Sequence, residues 1–273
     1  LLCNCCAGSS VSRHLAHRLL PWKAVLGILS VTPESDRIDR ASRLPYLRVL
    51  GSLYLSFDED ESAHERDSLR IQWSKNPAIW QFFQGVGVSD LRMTIGDLRG
   101  RRMPHPNCPS REYVFAGILG IVTTFFSNMY DARANKTDEA AFAVADLSGA
   151  VLQLIKEGLR SFNLALRNVG AATTRTSADD SSGEAAAATN ATDGHHDDDE
   201  FGGETSAEAG LGPVALLTPG EWGALRRAAS ALIFPLEMFD YRNQADDVAA
   251  ILPRVDAAAT QAPDDGLAST AQE

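Results

Sequence analysis

The chain is 273 residues long, 44% hydrophobic, and carries a formal net charge of −11. That apolar content is enough for an ordinary core in one large or two small domains, which excludes a wholly disordered chain. The charge is uneven: residues 1–170 hold 20 Lys and Arg against 17 acids, whereas residues 171–273 hold 5 Arg against 19 acids, so the tail is not expected to grip nucleic acid and the near-neutral body is not expected to carry a strong polyanion site.

The chain opens on Leu1, and Leu1, Leu2 and Cys3 lack the charged and apolar regions of a signal peptide. The expectation is a C-terminal portion of a larger, mainly helical structural protein. Cys3, Cys5, Cys6 and Cys108 are read as free thiols of a reducing compartment, because three of them crowd the first six residues and close no useful loop.

Residues 1–103 form the first region. Pro21, Pro33, Pro45 and Pro77, with Pro104 just beyond, cut it into short units, which predicts strands and brief helices. The clearest predicted strand is 46–57, where Val49, Gly51, Leu53, Leu55 and Phe57 alternate with Arg48, Leu50, Ser52, Tyr54 and Ser56. The acidic run Asp58, Glu59, Asp60 and Glu61 reads as a solvated loop, since a calcium loop needs spaced oxygen ligands and a central glycine. Pro104, Pro106 and Pro109 predict a rigid turn leading into a Ser110 cap.

Residues 104–170 predict a helical core pair. The first helix is uncharged from 113 to 130, with Tyr113, Gly117, Gly120, Thr124 and Ser127 along one stripe where a neighbour can approach. Its apolar stretch of about 14 residues is shorter than the ~20 of a membrane span, so a core helix and no membrane partner are expected. Thr137 caps the second helix, whose core positions are Phe142, Ala145, Leu147, Val151, Leu154, Ile155, Leu159, Phe162, Leu166 and Val169, with Gly170 as its stop. The polar connection 131–136 predicts an antiparallel pair.

Residues 171–212 are expected to be a disordered acidic linker rich in Ala, Gly, Ser and Thr, because only Phe201 and Leu211 supply large apolar side chains. Residues 213–252 return to order as a docking helix. Thr218, Pro219 and Glu221 predict a capping box with proline at the first helical position, and Leu217 and Trp222 occupy the staple positions. Pro235 is expected to end this helix, leaving Phe234, Leu236, Met238, Phe239 and Tyr241 as an apolar cluster that docks on the body or on another chain. Residues 253–273 read as a disordered tail. The fold class expected is α+β, mainly α-helical.

No catalytic constellation emerges, and neither cofactor nor metal is expected. Gly85 and Gly87 lack the third glycine of a dinucleotide loop and read as turn residues. No Lys-bearing phosphate loop accompanies Asp97–Gly100, and no serine has an elbow around it. Cys3, Cys5, Cys6, His14, His17, His105 and Cys108 lack the two-ligand turn spacing of a zinc knuckle. Arg99, Arg101 and Arg102 form a small basic cluster, a candidate RNA-facing site. Trp222, Leu225, Phe234, Met238, Phe239 and Tyr241 are candidates for subunit or core docking.

The stretch His105-Pro-Asn-Cys-Pro-Ser-Arg-Glu-Tyr-Val-Phe-Ala-Gly117 with its two helices, followed by the Ala-rich polar segment and the Leu217-Thr-Pro-Gly-Glu-Trp-Gly-Ala-Leu-Arg-Arg227 helix, resembles the coat proteins of totiviruses, most of all the victorivirus group. The resemblance spans roughly residues 20–252. It implies a helix-rich capsid subunit, here its C-terminal portion, that assembles with itself into a closed shell around double-stranded RNA. The implied location is the virion and the cytoplasm of a fungal or protist host, with the viral polymerase inside and only weak, non-specific contact to the genome. No cap-directed histidine chemistry maps onto His14, His17, His64 or His105. Two other readings stand beside it: a cellular helical scaffold or adaptor with a tethered docking helix, and an enzyme fragment without its active site.

Overall fold

Burial at steps of three and four residues, not two, organises the first third of the chain. The computed structural model describes residues 16–30, 40–57, 61–176 and 216–262, with side chains up to 168 in the third span. Every regular element among the described residues is helical, which bears out a mainly α-helical fold and leaves the strand component without a counterpart there. Helix α1 is Trp22–Ser30, and α2 is Arg40–Val49, extended by a π-helical turn at Leu50–Tyr54. The strand expected over 46–57 is thus corrected. Leu44, Leu47, Leu50 and Leu53 recur every third residue and are all buried, so one helical stripe accounts for more apolar surface than the alternation does. Pro45 sits inside α2 rather than between elements.

Helix α3, Ala63–Ser74, starts at a capping box: the Ser62 hydroxyl accepts from the Glu65 amide at 3.3 Å while the Glu65 carboxylate accepts from the Ser62 amide at 2.8 Å. Helix α4, Pro77–Phe82, runs through a π turn at Phe83–Gly87 into α5, Val88–Arg99. Gly85 and Gly87, expected in a turn, therefore lie within a helical run. Trp80, Phe83, Phe125 and Phe126 fill the space beside it, with Trp80 and Phe125 edge to face at 5.4 Å.

Helix α6, Pro109–Met129, contains π turns at Tyr113–Ile118 and Phe125–Met129. Its cap is Cys108 with Pro109 at the first helical position, two residues earlier than the Ser110 cap expected. By length and composition α6 could cross a membrane, yet 61% of its most apolar window is buried inside the fold, the pattern of a core helix. The close approach expected along its glycine stripe occurs at Gly117, where an added Cβ would lie 2.6 Å from Leu47 Cδ1 of α2.

Helix α7 spans Asp138–Thr176, α8 Pro219–Met238 and α9 Arg242–Gln261. Thr137 does cap α7, its hydroxyl accepting from the Ala140 amide at 3.3 Å. Leu147, Val151, Leu154, Ile155, Leu159 and Phe162 are buried as expected, whereas Phe142 and Leu166 are exposed. Gly170 does not stop the helix, which runs six residues into the segment expected to be disordered; from residue 177 that segment lies outside the described residues. The predicted antiparallel pairing of α6 with α7 is also corrected. Helix α7 packs on α5, α8 and α9, while α6 packs on α2 and α8.

A buried serine redirects the chain between them. Ser74 Oγ donates to the Met129 carbonyl at 3.1 Å and accepts from the Asp131 amide at 2.7 Å, and its carbonyl accepts from Trp80 Nε1 at 2.9 Å and Asn135 Nδ2 at 2.6 Å. The connection is thereby fastened to the end of α3 instead of folding back as a simple hairpin.

Pro235, expected to end its helix, does not, and Pro253, expected to open a disordered tail, lies within a helix. Pro235 lies inside α8 between buried Leu232 and Leu236, and Pro253 lies inside α9, where Val248, Ile251, Val255 and Ala258 keep one face buried. Continuous burial on both sides offsets the hydrogen bond each proline removes. The tail expected from 253 therefore begins no earlier than 262, beyond which the residues are not described.

Two buried polar networks join the layers. Asp90 of α5 accepts from Arg40 Nε of α2 at 3.2 Å and from the Tyr113 hydroxyl of α6 at 2.8 Å. Arg111 of α6 donates to both carboxylate oxygens of Glu221 in α8, to the Leu216 carbonyl at 2.5 Å and to the Pro104 carbonyl at 3.0 Å.

Candidate subunit-docking site

The largest exposed apolar side chains on α8 meet two other elements at one cleft. Phe234 is 55% and Met238 44% exposed, and they face Ile71 of α3, itself 41% exposed, across the segment 130–134. The cleft has a volume of about 770 Å³. Its position is set by the Ser74 hydrogen bonds described above and by Arg70 Nε, which donates to the Asn128 carbonyl at 2.8 Å. Tyr130 forms one wall, edge to face with Phe234 at 6.4 Å. Asp67, Arg70, Lys75, Asp131 and Arg133 supply both signs of charge around the apolar floor. An apolar centre with a polar, mixed-charge rim is the anatomy of a protein interface.

The remaining predicted docking residues separate from this patch. Trp222 and Leu225 are fully buried and belong to the core under α8, and Phe239 and Tyr241 are half-buried against it. Only Phe234 and Met238 of the predicted set are exposed at the cleft. Ile71 and Tyr130 complete it and were not singled out, since they are distant in sequence and carry no local pattern.

The predicted arginine cluster is also divided. Arg99 Nη2 pairs with Glu157 of α7 at 2.7 Å, while Arg101 and Arg102 are exposed on the loop that ends α5. That ending uses a left-handed residue, Arg101 at φ 52°, with the Arg102 amide donating to the Asp97 carbonyl at 2.8 Å. Glu157 is shared, lying 3.9 Å from Arg160 Nη1. No group of three or more His, Cys, Asp or Glu suited to a metal occurs among the described residues. His17 stacks on Tyr54 with centroids 4.6 Å apart, and its Nε2 lies 3.1 Å from the Leu53 carbonyl.

Burial pushes Tyr130 up to about 12, helped by the nearby charge of Asp131. Tyr113 is raised as well, first by burial and then by Asp90. A tyrosine whose folded value lies above its unfolded one, near 10.0, adds stability that is complete below that unfolded value and lost as pH rises through the folded value. Stability is therefore expected to fall between pH 10 and about 12, and to fall less steeply in Tyr130→Phe. Urea unfolding across that range checks this; parallel pH profiles for the two proteins would refute it. The Tyr130 hydroxyl also has no hydrogen-bond partner among the described residues, so its removal leaves no broken bond.

No protein family, curated protein or solved structure matches the chain.

Proposed function

We propose that this chain is the C-terminal portion of a structural coat subunit that associates with copies of itself into a closed shell around double-stranded RNA, the function implied by its resemblance to victorivirus coat proteins. The observation that carries the reading is the α3–α8 cleft, with three exposed apolar side chains, Ile71, Phe234 and Met238, inside a rim that carries both charge signs. A rim holding Arg70, Lys75 and Arg133 beside Asp67 and Asp131 can pair with the like surface of a second copy. Repetition of such contacts by symmetry is how identical subunits close a shell.

Phe234→Asp with Met238→Asp tests the surface. Each side chain is expected to contribute about 2 kcal/mol to association, so the double variant sediments as a monomer at concentrations where the unaltered chain associates. Its thermal unfolding stays near that of the parent, because both side chains already face solvent. Unchanged self-association in the variant would remove the cleft from the interface.

A further inference from the structure

A cationic groove of about 590 Å³ lies away from that cleft, between α7 and α9. Lys156, Arg160, Asn163 and Arg167 line one side at steps of four, three and four, and Arg254 projects from the other; Leu159, Leu164 and Ile251 form the floor. No carboxylate lines it among the described residues. Among the described residues Lys156, Arg167 and Arg254 take part in no ion pair, and Arg160 has only Glu157 at 3.9 Å, a carboxylate already held at 2.7 Å by Arg99. Four cations gathered with one shared carboxylate among the described residues repel one another, a cost that a bound anion relieves.

We propose that this groove binds the phosphodiester backbone of RNA. Lys156 and Arg167 are eleven helical steps apart, a row about 16 Å long at the α-helical rise. Phosphates on one strand recur about every 3.4 Å along a duplex axis, so the row tracks about five of them. The guanidinium groups of Arg160, Arg167 and Arg254 present forked donors suited to phosphate oxygens, and Asn163 adds an amide between them. Among the described residues no aromatic ring lines the groove and four of its five polar side chains are cations, so contact is chiefly to the backbone and independent of sequence. Arg99 extends the same surface through Glu157, which places one of the three arginines singled out in the sequence beside the groove. The proposal takes from the coat reading only that the polyanion is RNA.

The full chain is titrated against a fluorescent RNA duplex at several salt concentrations, beside an Arg160→Ala, Arg254→Ala variant and an Arg18→Ala, Lys23→Ala control that loses the same charge elsewhere. The groove variant is expected to bind about tenfold or more weakly at about 100 mM salt and to lower the slope of log K against log salt by about 2, the control changing neither. Equal losses in both variants overturn the proposal, as does an unaltered chain that does not bind. Residues 177–215 hold ten acids and no Lys or Arg. If binding appears only after Asp197, Asp198 and Asp199 are changed to Asn and Glu200 to Gln, the occupant is that acidic segment, and the RNA proposal is again overturned. Particle formation is scored separately in each variant. Shells that form with undiminished RNA in the groove variant defeat the groove alone, and RNA binding without shells defeats the coat reading alone.

Discussion

Arg111→Ala is expected to lower the unfolding free energy by about 3–5 kcal/mol, because it leaves a buried carboxylate without its cation. The Arg111 side chain is fully buried and that of Glu221 is 10% exposed, and the guanidinium holds the carboxylate together with the Leu216 and Pro104 carbonyls. Glu221 also closes the Thr218 capping box, accepting from the Thr218 amide at 2.8 Å, so one carboxylate starts α8 and fastens it to α6. Replacing both partners, as Arg111→Met with Glu221→Leu, recovers much of the loss, since a well-packed apolar pair carries no desolvated charge; about 1 kcal/mol of capping stays lost. Chemical denaturation of the three proteins measures this. A single variant as stable as the parent would show that the pair is not the fastening described.

Trp222→Ala is expected to cost about 3–5 kcal/mol by leaving a cavity under α8. The indole is fully buried and packs so closely on α7 that a Cβ at Gly158 would sit 2.8 Å from it. Its Nε1 has no partner among the described residues, so the loss is one of packing alone. The two positions are therefore coupled. Gly158→Ala destabilises the parent by overpacking and costs less in the Trp222→Ala background, where of the two contacts at 2.8 Å only that with Leu217 Cδ1 is left to yield. Additive effects in a double-mutant cycle, or unchanged thermal stability of Trp222→Ala, would contradict the packing.

Local chemistry made some of this fold legible. The capping box at Thr218, the cap at Thr137 and the buried stripe of α7 from Leu147 to Phe162 each depend on residues within a few positions of one another, and each occurs as the sequence indicates. Errors arose where tertiary burial overrode a local rule. Pro235 and Pro253 lie inside helices because apolar residues continue on both sides of them, and alternation over 46–57 was weaker evidence than the three-residue recurrence of leucines beneath it. The pairing of α6 with α7 failed because a single serine, Ser74, anchors the connection elsewhere. Lys156, Arg160 and Arg167 share one face of α7, whereas Arg254, which falls in the stretch expected to be a disordered tail, joins them only in three dimensions. The cleft was half legible, through Phe234 and Met238, whereas Ile71 and Tyr130 join it only in three dimensions.

Self-assembly is the central claim, and negative-stain microscopy of the product of the complete reading frame, after size-exclusion chromatography and nuclease treatment, tests it most directly. The coat reading predicts closed particles of uniform diameter that elute in the void volume and protect RNA from digestion. A monomer or small discrete oligomer with no protected RNA would contradict it and leave the scaffold or adaptor reading in its place.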